Sequence, residues 1–317
     1  MRFHSDSALV AVLLTTHLVK REASPLTARE YWKLIATVED PARLLGLDSK
    51  DIARQVEGAT DGDRIAVLLD GATVLAFELE RLEQSGIQVL TPFDEGYPMR
   101  LVDRLAHHAP PVLHVAGPRS LLAEDGVGVV GSRNVGKEAR AVAAEVARGA
   151  VARGYTVISG LAKGIDEVAL SAALEAEGQV IGIPADSLDK LIRDPAVRRS
   201  ISDERLCVAT PYIPSAGFSV GAAMNRNKLI YALSQVTLVV TADAGKGGTW
   251  SGATEALDKS IAPVAVWMGP EAGQGNKKLV AHGAVAVDDV EAVFAVSRQS
   301  KVESDSSSAE EQLRLQL

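Results

Sequence analysis

Residues 127–167, VGVVGSRNVGKEARAVAAEVARGAVARGYTVISGLAKGIDE, decide the fold of this chain. The short β-branched run at the start predicts a strand, and the alanines and valines of residues 136–153 recur at helical spacing. Residues 155–158 have the pattern of a second strand. A strand, a helix and a strand of this length give parallel strands joined by a right-handed crossover. We therefore predict an α/β fold with a doubly wound, mostly parallel sheet.

A glycine turn follows each of these two strands. Gly131 and Ser132 precede Arg133 in the first turn, and Gly160 precedes Lys163 in the second. Both turns emerge at the carboxyl edge of the predicted sheet, where open α/β sheets bind their ligands. Backbone N–H groups at a helix N-terminus, together with two cations, suit a phosphate group.

Length and composition indicate an ordinary globular protein of 317 residues, enough for one large domain and a smaller one. The net charge of -8 argues mildly against a protein coated in nucleic acid. A local basic groove is still allowed, because salt screens charges beyond about 8 Å. The single cysteine, Cys207, fits the reducing cytoplasm, where we expect the protein. The apolar run of residues 8–14 is too short to span a membrane.

The chain divides into three parts by pattern. Residues 1–88 predict a small all-helical N-terminal domain, in which Thr27 and Glu30 form a capping box. Residues 89–296 carry the α/β pattern, and the polar tail of residues 297–317 is expected to be disordered. The helical domain lacks an aligned basic face, so it or the tail is a candidate site for a partner protein. No histidine or cysteine has the spacing of a metal site, and we predict no metal or cofactor.

Two familiar glycine motifs match the first turn imperfectly. Gly126, Gly128 and Gly131 satisfy the dinucleotide fingerprint, but the first two lie before or within the strand instead of after it. Residues 131–137 match a Walker loop, but Glu138 then stands where magnesium needs a Ser or Thr hydroxyl. We therefore disfavour an NAD or FAD enzyme and a P-loop ATPase.

Five cations instead fall at predicted strand ends or helix starts. They are Arg133, Lys163, Arg226, Lys228 and Lys246. In a doubly wound sheet such positions converge on one edge. Several cations beside glycine-rich N–H groups favour repeated phosphates, and hence a nucleic acid backbone, over one small ligand.

Several of these segments, in this order, resemble the signature of the DNA-processing protein A (DprA/Smf) family. They are Gly131-Ser132-Arg133, SGLAKGID at 159–166, RNKLIYALS at 226–234, and KGGT at 246–249, preceded by Tyr97-Pro98. The resemblance covers about residues 88–270. It implies an extended Rossmann-like fold that binds single-stranded DNA, forms a homodimer and loads the RecA recombinase during natural transformation. It implies no catalytic activity.

The resemblance also assigns site residues by position. The DNA- or phosphate-binding set is Gly131, Ser132, Arg133, Ser159, Gly160, Lys163, Gly164, Arg226, Asn227, Lys228, Lys246, Gly248 and Thr249. We expect Asp166 to cap the following helix, since an acid at the site would oppose phosphate. Tyr212, Phe218 and Trp250 are the loop aromatics that could stack on a base.

Some positions depart from the family pattern. Leu170 stands where the family usually has a histidine, Ala209-Thr210-Pro211 replaces its Ser-Glu pair, and no C-terminal winged helix is recognisable. One alternative is therefore a divergent member acting in phage defence or toxin regulation. Another is a nucleotide-binding sensor or hydrolase that uses the same pocket, for which Thr249 and Glu255 are the candidate residues.

Overall fold

A nine-stranded sheet forms the centre of the computed structural model, which describes residues 5–297. The strands are β1 (Ile87–Leu90), β2 (Leu113–Ala116), β3 (Gly126–Val130), β4 (Thr156–Ser159), β5 (Val180–Gly182), β6 (Leu206–Thr210), β7 (Val236–Val239), β8 (Val264–Trp267) and β9 (Val285–Val287). Apart from residue 297, the predicted tail lies outside the described residues.

Thirteen α-helices within the described residues surround the sheet. They are α1 (Asp6–Thr15), α2 (Ala28–Val38), α3 (Ser49–Gln55), α4 (Gly62–Leu69), α5 (Ala72–Gln84), α6 (Arg100–Leu105), α7 (Lys137–Ala152), α8 (Ile165–Glu175), α9 (Leu188–Leu191), α10 (Pro195–Ser202), α11 (Val220–Leu233), α12 (Gly247–Asp258) and α13 (Gln274–Ala281). Residues 290–297 are helical as well. No helix in this part of the chain is long and apolar enough to cross a membrane.

The strand order is β1-β2-β6-β5-β4-β3-β7-β8-β9. From β6 to β9 all neighbours are parallel, whereas β2 pairs antiparallel with both β1 and β6. After β3 the chain proceeds outward through β4, β5 and β6, then returns to the other side of β3 with β7. The predicted doubly wound, mostly parallel sheet is therefore confirmed, and its switch point lies between β3 and β7.

Helices cover both faces of the sheet, so its parallel strands are buried. Ala143 and Ala147 of α7 pack in the cluster on one face, and Leu229 and Tyr231 of α11 pack in the cluster on the other. Gly154 ends α7 with φ +76°, a left-handed conformation that favours glycine. The strand–helix–strand prediction for residues 127–158 is confirmed.

The N-terminal region is helical up to residue 84, and the predicted capping box of Thr27 and Glu30 is present. The sequence pattern predicts one helix over residues 63–84, but the structure has two, α4 and α5. The break falls at Gly71, whose φ of +116° no α-helix accommodates. The region has a core of its own around Tyr31 and also packs against the sheet through Leu75.

The start of α11 differs from its prediction. The pattern predicts that the helix opens at residue 225, but it begins at Val220, where the Ser219 hydroxyl accepts a hydrogen bond from the N–H of Ala222. Arg226 and Lys228 are therefore interior helical residues and not residues at a helix start. Two positions along an α-helix are about 200° apart, so these two side chains point to different sides.

Candidate nucleic-acid interface

Two adjoining clefts of about 550 and 620 Å³ lie at the carboxyl edge of the sheet. One lies beyond β4 and β5 and reaches α9, and the other lies at the switch point between β3 and β7. Arg133, Ala162, Phe218 and Arg226 line both clefts. We therefore treat them as one feature, the edge groove, with a β4 half and a β7 half.

Arg226 lies between the two halves. Its side chain is buried, with 4% exposure, and its guanidinium occupies the space that a Cβ on Gly160 would take. The Nε and Nη1 atoms have no hydrogen-bond partner. Burial lowers the pKa of Arg226, although a guanidinium stays charged in proteins. An unpaired buried cation destabilises a fold unless something else is gained, so it marks a candidate anion site.

Asp166 is buried next to this guanidinium, yet the two groups form no ion pair. Its carboxylate accepts a hydrogen bond from the Gly160 N–H at 3.2 Å. Burial raises its pKa to about 6, against the opposing effects of Arg226 and of backbone N–H groups. The predicted cap is wrong, because α8 begins after Gly164 without any side-chain cap. Asp166 lies inside the first turn and instead holds the loop after β4 in place.

Three further predicted cations lie around the groove and are exposed. Arg133 and Lys163 line its β4 half, and Lys246 lines the β7 half. The Arg133 guanidinium lies 5.5 Å from the ring centroid of Phe218. Among the described residues, none of the three cations has an ion pair with a carboxylate. Their charges are thus available to an anion.

The predicted small residues shape the loops. Gly164 has φ +93°, and a Cβ there would lie 2.5 Å from the carbonyl oxygen of Arg133, so the loops after β3 and β4 are in contact. The N–H and hydroxyl of Ser132 both donate to the Thr241 carbonyl, at 3.0 and 3.2 Å. The buried Ser159 hydroxyl donates to a carbonyl of β3 at 2.6 Å. Both serine hydroxyls are therefore engaged within the protein.

The start of α12 forms one side of the β7 half. The Asn227 side chain donates to the carbonyl of Gly248 at 2.8 Å and thereby fixes this start to α11. No side chain caps α12, and Gly247, Gly248 and Thr249 line the groove. The uncapped N–H groups and the neighbouring Lys246 suit an anion.

Lys228, the fifth predicted cation, does not join the others. It lines a separate cleft together with Arg29, His108 and Tyr212, between the helical region and the sheet. Burial lowers its pKa, and Glu255 opposes that shift. The interior position of Lys228 in α11, on a different side from Arg226, explains the separation.

The first turn does not hold a phosphate in the Walker manner. The Glu271 carboxylate accepts a hydrogen bond from the Ala139 N–H at 3.0 Å and lies against Gly136. The N-terminus of α7 is thus already occupied by an anion of the protein itself. The dinucleotide fingerprint fails as well, because Gly126 and Gly128 are both residues of β3.

Four carboxylates also line the groove, and three of them accept backbone hydrogen bonds. Asp166 binds Gly160 N–H, Asp186 binds Ser187 N–H, and Asp194 caps α10. Asp243 is exposed in the β7 half. Five cations line the groove against these four acids, namely Arg133, Lys163, Lys190, Arg226 and Lys246. The groove therefore favours an anionic ligand.

Sequence reasoning missed two features of the groove. Lys190 of α9 lines the β4 half, in a segment whose pattern gave no helix. Val220 and Met224 line the β7 half, and their helix was predicted to start after them. For the second feature the sequence did offer a signal. Val220 and Met224 are apolar and four residues apart, and they follow Ser219, a residue type that commonly caps helices.

Comparison with known proteins adds the family. The sequence model described as DNA recombination-mediator protein A matches residues 88–297. The chain is 25% identical over 291 residues to DNA processing protein DprA of Bacillus subtilis, covering 90% of this chain and 94% of that protein. It is 30% identical over 233 residues to a Mycobacterium tuberculosis DprA, covering 68% of this chain but only 59% of that longer relative.

Two solved structures have the same fold. DprA from Streptococcus pneumoniae aligns with a TM-score of 0.70 at 23% identity, over 93% of this chain and 98% of that one. DNA processing protein A from Helicobacter pylori, described for its single-stranded DNA binding mode, aligns with a TM-score of 0.55 at 24% identity, over 68% of this chain and 98% of that one. The match over residues 88–297 and these relatives together show that the chain belongs to the DNA recombination-mediator protein A family, the family of the DprA and Smf proteins.

Proposed function

We propose that the edge groove binds single-stranded DNA along its phosphate backbone, with little dependence on sequence. The observation that carries the proposal is Arg226, a buried guanidinium with two unpartnered nitrogens that lines both halves of the groove. Once the side chain turns toward the groove that it lines, a phosphate oxygen would supply the missing acceptors in charge-assisted hydrogen bonds.

A strand fits the groove better than one small anion does. Unpaired cations line both halves, from Lys246 at one end, past Arg133, to Lys163 and Lys190 at the other. Such a row suits phosphates repeated along a backbone. The H. pylori relative is described for binding single-stranded DNA, which supports the same ligand here.

The test is fluorescence anisotropy with labelled oligo-dT at two salt concentrations. We compare wild type with Arg226→Met and with Lys228→Met, a matched loss of one cation from the same helix but outside the groove. We expect salt-sensitive binding that Arg226→Met weakens roughly 10- to 100-fold, because hydrogen bonds to a charged group are lost. Lys228→Met should change it less than twofold. Absent wild-type binding, or equal losses in both variants, would refute the proposal.

A nucleotide hydrolase using the same pocket is the main rival. Its candidate acid, Glu255, forms an ion pair with Lys259 at 2.7 Å and lines neither half of the groove. This placement argues against a role for Glu255 in hydrolysis. Nucleotide turnover by the purified protein that Glu255→Gln abolishes would reverse that conclusion.

Homodimer formation and the loading of RecA are separable parts of the proposal that rest on family membership. Light scattering of the purified chain tests the dimer. Loading is tested by RecA filament assembly on DNA that is already covered by a single-strand-binding protein. DNA binding without faster assembly would leave the groove's function intact and point to another pathway, such as phage defence or toxin regulation.

A further inference from the structure

A second candidate site lies where the helical region meets the sheet. It is the cleft that contains Arg29, His108, Tyr212 and Lys228, here called the joint cleft, with a volume of about 480 Å³. Its walls come from the end of α1, the start of α2, the loops before β2 and after β6, and α11. No cation of the edge groove lines it. Small-molecule sites commonly have this size and lie between packed units.

Three nitrogen-bearing side chains line the joint cleft, and each comes from a different element. Arg29 lies in the first turn of α2, His108 precedes β2, and Lys228 lies in α11. Arg29 is exposed, whereas His108 and Lys228 are half-buried. Within residues 5–297, none of the three side chains has a hydrogen bond or an ion pair. Their N–H groups are thus available to a ligand.

The charge of the joint cleft is not balanced from within. Among the described residues no carboxylate lines it, in contrast to the edge groove with its four. Glu255 acts on His108 and Lys228 from outside the cleft and is paired with Lys259 at 2.7 Å. Burial, aided by neighbouring cations, lowers the pKa of His108, so its ring is neutral at pH 7.

This balance indicates the charge of the ligand. Arg29 and Lys228 carry positive charge at pH 7, and His108 adds a neutral N–H donor. A phosphate monoester has a charge of roughly −1.5 to −2 at this pH and matches both cations. A single carboxylate would leave one of them unbalanced. The cleft therefore suits a phosphate monoester.

The remaining surface of the joint cleft favours a flat apolar group. Pro110, Pro111 and Pro211 line it together with the ring of Tyr212. The Tyr212 hydroxyl donates to the Ala222 carbonyl at 3.0 Å, which fixes the ring. Tyrosine and proline rings present flat apolar faces, and a planar ring such as a nucleobase can pack against them.

The loop that supplies two of these prolines is held from both sides. The Trp32 indole N–H, from α2, donates to the Ala109 carbonyl at 2.8 Å. The Tyr97 hydroxyl donates to the Pro110 carbonyl at 2.6 Å. A wall that is already ordered favours binding, because little conformational entropy is lost when the ligand enters.

We propose that the joint cleft binds a nucleoside monophosphate, with its phosphate held by Arg29, His108 and Lys228 and its base packed against the prolines and Tyr212. This site is independent of the proposed function, since it shares no cation with the edge groove. Its walls belong to both the helical region and the sheet. A bound nucleotide therefore links the two parts and stabilises the folded protein.

The test is isothermal titration calorimetry of the full chain with AMP, adenosine and ribose 5-phosphate. AMP should bind at least about tenfold more tightly than either of the others, because adenosine lacks the phosphate and ribose 5-phosphate lacks the base. Lys228→Met should weaken AMP binding about tenfold through the loss of a charged donor. Arg29→Met should do the same, and because Arg29 is exposed this variant should keep the fold.

Arg226→Met is the matched control, since it removes a cation from the same helix that does not line the joint cleft. Its AMP affinity should equal that of wild type. Loss of AMP binding in Arg226→Met but not in Lys228→Met would place the nucleotide in the edge groove and overturn the proposal. Ribose 5-phosphate that binds as tightly as AMP would also overturn it, because the base would then make no contact. Wild type that binds oligo-dT but not AMP would refute the nucleotide site alone.

Discussion

Among single residues, Arg226 is the one whose burial should lower stability while its charge favours DNA binding. Its Nε and Nη1 are buried without partners, so the folded protein bears a desolvation cost for them. Arg226→Met keeps a similar apolar stem and removes that cost. We therefore expect the free energy of unfolding at pH 5 to be about 1–3 kcal/mol higher in Arg226→Met than in wild type. The same variant should bind DNA only weakly. Urea denaturation measures the free energy of unfolding, and a marked loss of stability would mean that the guanidinium has a partner in solution.

Asp166 should make stability depend on pH. Its folded pKa is raised to about 6 from an ordinary value near 3.8, so between these limits the folded state holds its proton more tightly than the unfolded state. The contribution of Asp166 to stability should thus be largest below pH 4, fall as pH rises to 6, and stay level above, with a total change of at most about 3 kcal/mol. Asp166→Asn should lose this component. If the denaturation midpoints of wild type and Asp166→Asn change by the same amount from pH 4 to 7, the prediction is wrong.

At the level of elements, the sequence was most informative where geometry allows few choices. Arg133, Lys163 and Lys246 follow parallel strands, and parallel strands end at the same edge, so their proximity to the groove could be predicted. Lys228 could not be placed, because its position depends on where α11 begins. The preceding segment is rich in small residues, which leave that start undefined by pattern. The partners of Asp166 and Glu271 depend on contacts between distant loops, which spacing does not encode.

The N-terminus of α7 gives a prediction at this scale. The Glu271 carboxylate accepts the Ala139 N–H and compensates the helix dipole. Glu271→Ala should lower the unfolding free energy by about 1 kcal/mol, as the loss of a cap does, and leave oligo-dT affinity unchanged. Glu57→Ala, at an exposed loop acid, is the control that should alter neither. Oligo-dT affinity that rises in Glu271→Ala would mean that phosphate can bind at the N-terminus of α7 once the protein's own carboxylate is removed.

For the whole molecule, the net charge of -8 does not indicate that the groove is lined by unpaired cations. Three of the groove's four acids accept backbone hydrogen bonds, while its cations remain without carboxylate partners in residues 5–297. The local balance of charge, and not the overall net charge, thus decides which surface attracts DNA. Exposed charges further than about 8 Å away are screened at physiological salt.

The β4 half of the groove extends the row of cations beyond Arg226, and this extent gives a prediction for oligonucleotides of different lengths. Lys190 lies on α9 and lines only the β4 half of the groove, whereas Arg226 lines both halves. A short oligonucleotide bound around Arg226 does not need to reach it, whereas a longer one does. Lys190→Ala should therefore leave the affinity of the shortest binding oligo-dT unchanged and weaken longer ones. For these, the slope of log affinity against log salt should fall by about 0.7, the value for one phosphate contact on a single strand.

Arg193→Ala is the control for that series, because Arg193 is an exposed cation three residues from Lys190 that does not line the groove. Equal weakening of short and long oligonucleotides by Lys190→Ala would mean that the strand binds first at α9. No weakening at any length would mean that the strand does not pass along α9. Each result fixes the path of the strand, since the cations that change the salt slope are those that lie against its phosphates.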